Sequence, residues 1–403
     1  MPIDPISADY IRLSFALDQH VHGVVDAYIG PADLRPTAPP APAKAILAAL
    51  EDLHQRVQTS SYPRRRKDYL AVQIRGLVTV ARRLAGETLS YRDEVRDCFD
   101  IDPCYTPDER FEAALVELDA VLPGWGDLAA RMHRWRTSFD ISPTVALQMI
   151  GFITTEVRHR TQAITPLPTQ ESVEFVLVSD KPWSGYNWYL GRGRSRVEVN
   201  VDLPLRANTL LDLICHEAYP GHHTEHLLKE QHLFTEQGWG EQSIQLITAP
   251  ECVISEGIAT LAVEAIFGNE ANTWAAEHLY PLGGITSDPE RDERIMQASA
   301  HMRALSGNAA LMIYEQGVAP DAVVPYLMRY GLRSEQEARQ QLRFICDPLW
   351  RTYVFTYFVG RDLLGRWLRR GDRAARFRTL LTEQIYPSLV EGWLLEEDGC
   401  VRG

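Results

Sequence analysis

Positive charge is scarce in this chain: 41 lysines and arginines stand against 54 acids, a formal net charge of −13. That deficit argues against non-specific nucleic-acid or anionic-membrane partners, which need a basic surface. Long apolar runs are missing as well, and "MPIDPISADYIRLSFALDQH" has acids rather than a basic segment ahead of its apolar residues. Neither a secretory leader nor a membrane span is expected. Cysteine pairs are absent: the six cysteines, at 98, 104, 215, 252, 346 and 400, are scattered without a CxxC. Free thiols in a reducing cytoplasm are the simpler expectation. Low-complexity tracts and internal repeats are lacking too. What is present is a chain of 403 residues, 45% hydrophobic and 24% charged, long enough to bury a large core.

Helical periodicity fills most of it. "ADYIRLSFALDQHVHGVVDAYIG" spaces apolar residues three and four apart and predicts one helix up to Gly30, where the Pro-rich "PADLRPTAPPAPAK" reads as a covering loop or linker. The texture changes near residue 172. "SVEFVLVSD" and "SRVEVNVDLP" alternate with the two-residue period of strands, and "PWSGYNWYLGRG" between them supplies turn residues and a candidate middle strand. The expected fold class is mainly α, with a small antiparallel sheet just before a histidine-rich helix. Residues 1–165 are expected to form an N-terminal helical region and 166–403 a sheet plus helical catalytic region, as one continuous domain or two lobes around a cleft. Such a sheet either caps a helical core or offers an edge strand to an extended substrate.

The histidine-rich segment is "CHEAYPGHHTEH", and five of the twelve histidines, 216, 222, 223, 226 and 232, fall within it or just beyond. In an HExxH helix the two histidines lie one turn apart and share a zinc while the glutamate holds a water. Here Pro220 occupies the fourth position after His216. On an unbroken helix His222 would lie about 120° around the axis and His223 roughly 10 Å along it, so neither could share an ion with His216. Pro220 and Gly221, however, break helices. In one reading the helix bulges by two residues and re-enters at His222, restoring the motif as HExx(PG)H. In the other it ends at Tyr219 and restarts, so that His222 and His226, four apart, bind a metal without His216. Glu217 follows an apolar stripe of Leu210, Leu211, Leu213 and Ile214, and a buried carboxylate there calls for a compensating cation.

A catalytic zinc takes three protein ligands. Glu256, in the apolar helix "PECVISEGIATLAVEAIFG", is the candidate third; Glu251 reads as a helix N-terminal charge and Glu264 as a more distant acid. Tyr353 and Tyr357, one turn apart in "DPLWRTYVFTYFVGRDLL" beside Arg351, are candidate oxyanion donors. Two Glu-x-x-His pairs, Glu51 with His54 and Glu156 with His159, leave a di-iron carboxylate enzyme as an alternative.

With "HEAYPGHHTEH", "SEGIA", "SRVEVNVDLPLRANTLLDLI" and "TYFVG", the chain resembles, over roughly residues 100–365, the bacterial family called domain of unknown function 885, whose mark is HExxPGHH. Through it the chain looks like a distant relative of helical zinc metallopeptidases with HExxH and a downstream glutamate. The resemblance implies His216, His222 and Glu256 as metal ligands, Glu217 as general base and Tyr357 as a transition-state donor, with His223 as an alternative ligand. It also implies one zinc per chain and a peptide or small amide substrate. In "NAALMIYEQGVAP" Tyr314 stands where many members carry a histidine. That departure favours the alternative of a non-catalytic peptide or small-molecule binding protein on the same scaffold.

Overall fold

Side-chain caps and prolines set where many of the helices begin. In the computed structural model, which describes residues 3–400 apart from 182 and 203, Asp4, Ser90, Ser142 and Asp372 each accept a first-turn backbone N–H. Ser334 and Glu337 close a reciprocal capping box. The elements run α1 (Pro5–Asp18), β1 (Val25–Tyr28), α2 (Ala43–Thr59), α3 (Arg64–Leu84), α4 (Tyr91–Phe99), α5 (Asp108–Val121), α6 (Leu128–Thr137) and α7 (Pro143–Ile164). Then come β2 (Ser172–Val178), β3 (Gly185–Gly191), β4 (Arg194–Asn200), α8 (Ala207–Glu217), α9 (His222–Lys229), β5 (Ile244–Leu246), α10 (Glu251–Phe267) and α11 (Ala271–Trp274). The rest is helical: α12 (Pro289–Ala300), α13 (Leu305–Tyr314), α14 (Pro320–Gly331), α15 (Glu335–Cys346), α16 (Thr356–Leu368), α17 (Arg373–Thr382) and α18 (Pro387–Cys400). The protein is thus mainly α with two small sheets, and no helix among the described residues is long and apolar enough to cross a membrane.

The first expected helix is shorter than its periodicity suggests. It stops at Asp18, whose carboxylate accepts the backbone N–H of Gly23 and Val25, and the chain continues as β1, antiparallel to β5. The larger sheet has the order β2-β4-β3. β3 and β4 form the expected antiparallel hairpin, turning at Arg192 and Gly193, both with positive φ. β2 pairs with β4 in parallel, so the middle strand in sequence is an edge strand in space. Alternation reports which face a residue takes and is the same for either strand direction.

One core cluster joins α1–α4 to α13–α15, a second lies among α6, α7, the larger sheet and α8, and a third holds α10 against α16–α18. α10 and α16 cross where glycine meets glycine. A β-carbon on Gly257 would stand 2.9 Å from the Gly360 carbonyl carbon, so only a bare backbone permits this approach. The crossing carries Glu256 and Tyr357 toward the same cleft.

Candidate metal centre and its cleft

α8 ends at Glu217 and α9 begins at His222, with a cis Tyr219–Pro220 bond in the turn between them. The turn folds back onto the end of α8: Gly221 N–H donates to the Cys215 carbonyl at 3.0 Å and Thr224 N–H to that of Ala218 at 3.2 Å. Carbonyls that a helix end leaves unpaired are thereby satisfied. A β-carbon at Gly221 would overlap the carbonyl oxygens of His216 and Cys215. The backbone therefore restarts, yet it brings His216 and His222 together as the bulge required.

His216 Nε2 and His222 Nε2 lie 3.2 Å apart. Glu256 on α10 places Oε2 3.5 Å from His216 Nε2 and Oε1 3.9 Å from His222 Nε2. Donor atoms held about 2.0–2.1 Å from a tetrahedral zinc stand roughly 3.3 Å from one another, so this set fits such a cation. Charge points the same way. In the apoprotein burial, then the neighbouring histidine, holds His216 down at about 3 and His222 at about 4, so both are neutral, as ligands must be. Burial pushes Glu217 and Glu256 up to about 8, and Oε2 of Glu256 is buried with no hydrogen-bond partner among the described residues. Lys229, a cation lining the same cleft, is spent on Glu225. Two buried carboxylates and an orphaned oxygen are what a bound dication would compensate.

The other expected residues take different places. His223 is fully buried, with Nδ1 at Ser195 Oγ (2.8 Å) and Nε2 at Glu171 Oε2 (3.0 Å). Both ring nitrogens are thus engaged, and it lies outside the group formed by His216, His222 and Glu256. His226 stacks on His222 at 5.9 Å and its Nδ1 accepts from Gln245 at 2.7 Å, outside the ligand cluster. Tyr353 donates to Glu256 Oε1 at 2.8 Å, so its hydroxyl serves the carboxylate rather than a substrate. Tyr357, over a third exposed, lines the cleft. Tyr314 does not: it stacks on Tyr91 and donates to the Ile345 carbonyl. Glu51 with His54 and Glu156 with His159 join no metal-holding cluster among the described residues, and Glu156 pairs with Arg160.

The cleft has a volume of about 920 Å³. Gly185, Tyr186 and Asn187 of β3 form one wall, and Asn187 Nδ2 donates to the Glu217 carbonyl at 2.6 Å. Sequence reading missed Asp26, which lines the cleft, accepts the Tyr186 hydroxyl and is pushed by burial up to about 6. It missed Ser255 and Glu225 as well, although Glu225 lies three residues after His222 and four before Lys229, a spacing that shares a helix face.

No protein-family model matches the chain, and no curated protein matches it. Among solved structures it is similar to a candidate lipoprotein from Colwellia psychrerythraea, at 18% identity and a TM-score of 0.52, covering 87% of this chain and 66% of that one. It also matches a candidate lipoprotein of unknown function from Shewanella oneidensis, at 13% identity and a TM-score of 0.47, covering 88% of this chain and 71% of that one. The chain spans just under two thirds of the Colwellia protein's length, and at 18% identity that likeness is one of fold alone.

Proposed function

We propose that the protein is a zinc-dependent hydrolase that cleaves a peptide or related amide bond. The observation that carries this reading is the convergence of His216, His222 and Glu256, with Glu217 buried beside them on the same cleft. These three residues would hold the ion, which when bound lowers the pKa of a water and polarises a substrate carbonyl. Glu217 takes the proton of the attacking water and delivers it to the leaving amine. Tyr357 donates to the carbonyl oxygen as negative charge develops on it, while Tyr353 positions Glu256. β3 is an edge strand lining the cleft, and an extended peptide can add to it by main-chain hydrogen bonds. The HExxPGHH resemblance supports the same chemistry. Zinc stoichiometry by elemental mass spectrometry, followed by digestion of a broad peptide library with Glu217→Gln as control, tests the reading. Zinc-loaded protein that cuts nothing, or a control that cuts equally well, would refute it.

A further inference from the structure

We propose that Ser255 and Glu225, braced by Lys229, are positioning residues that hold His222 in the tautomer with its proton on Nδ1. His222 Nδ1 lies 3.0 Å from Ser255 Oγ, and Ser255 Oγ lies 2.6 Å from Glu225 Oε2. Glu225 is 2% exposed, and its other oxygen accepts from Lys229 Nζ at 2.6 Å. An ionised carboxylate only accepts hydrogen bonds, so the single hydroxyl proton of Ser255 goes to Glu225. Ser255 Oγ is then left to accept, and the atom facing it on His222 must carry a proton. A neutral imidazole protonated on Nδ1 keeps its lone pair on Nε2, the atom that faces His216 and Glu256. The Lys229 ammonium can only donate and keeps Glu225 as the ionised acceptor, and from that the direction of the Ser255 and His222 protons follows. Ser255 stands one residue before Glu256 on α10 and Glu225 three after His222 on α9, so the relay also ties two ligand-bearing helices together. Hydrogen bonds of this kind orient histidine ligands, and losing them typically weakens a metal site about 10- to 100-fold.

The inference rests on the metal-centre reading of His222, and its sharpest test is a change of shape-neutral atoms. In Glu225→Gln, Lys229 must still face the amide oxygen, which turns the amide NH₂ toward Ser255. Ser255 then accepts from the glutamine and its proton swings to His222 Nδ1, moving the ring proton to Nε2. Two readouts are made on the full chain: zinc affinity by competition with a chelator, and the His222 ring tautomer by ¹⁵N NMR of metal-free protein. The expected results are an Nδ1–H ring in the wild type, an Nε2–H ring in Glu225→Gln, and zinc affinity lower by about 10- to 100-fold in Glu225→Gln and Ser255→Ala. Glu225→Gln with Lys229→Met frees the amide to present its oxygen to Ser255 and recovers the affinity, which a loss of packing would not. Wild-type tautomer and affinity in Glu225→Gln overturn the relay. A wild type that binds no zinc refutes the metal centre instead, and the tautomer readout still decides the relay.

Discussion

Gly221 sits where a β-carbon would come within 2.6 Å of the carbonyl carbon of His216, so the residue before the second histidine is pressed against the first. Gly221→Ala must push α9 away from α8. We expect complete loss of zinc binding and a destabilisation above about 3 kcal/mol, measured by zinc stoichiometry and urea unfolding. An alanine variant that still binds zinc would show that the turn has slack.

His216→Ala and His222→Ala should each abolish zinc binding, whereas His223→Ala should reduce stability because it strips partners from the buried Glu171 and Ser195. Metal content and melting temperature separate the two effects. Equal zinc loss in His226→Ala would favour the His222 and His226 pairing instead.

Glu217→Gln should retain zinc and lower turnover by about 10²- to 10⁴-fold. Because the buried carboxyl stays protonated up to about 8 in the metal-free fold but ionises near 4.5 in the unfolded chain, the metal-free variant should gain stability over the metal-free wild type as pH rises from about 4.5, the gap levelling off above about 8. Steady-state kinetics and denaturant titration of both forms test the two halves separately.

Tyr357→Phe and Tyr353→Phe should fail in different ways. Tyr357 lines the cleft, so its loss should lower kcat by about 10²-fold with zinc affinity unchanged. Tyr353 bonds Glu256, so its loss should weaken zinc first. If the two patterns are exchanged, the roles assigned here are exchanged too.

Asp26 supplies the pH prediction. Burial holds its carboxyl protonated up to about 6 in the folded chain, while in the unfolded chain it ionises near 3.8. The native state therefore keeps a proton that the unfolded state has lost, and stability falls as pH rises through that window. Asp26→Asn still accepts from Tyr186 and should match the wild type near pH 4 but exceed it by about 1–3 kcal/mol at pH 8. A stability difference that stays flat with pH would rule out the buried charge as its cause.

What the sequence revealed, and what it hid, follows from the range of each interaction. Pro220 and Gly221 announce a break locally, but whether His216 meets His222 depends on how the Gly221 and Thr224 amides find the end of α8. The VDAY strand is hidden within a helical pattern because its partner, β5, lies far along the chain. Alternation located β2 and β4 but carried no information on their parallel pairing. Glu256 was legible as a lone acid in an apolar helix. Ser255 beside it was not, because a helical serine is ordinary until its partners are known.

In an HExxH helix the backbone repeat itself dictates how far apart the two imidazoles stand. Here they ride on separate helices, and what props α9 from behind is the strut of Tyr219, His223, Glu171 and Ser195, with Arg158 at its outer end. The spacing of the two imidazoles is therefore a property of tertiary packing and can drift through substitutions that never touch them. If the proposed zinc site holds, such a scaffold can retune its choice of ion from the back of the protein, a freedom that a continuous helix does not have.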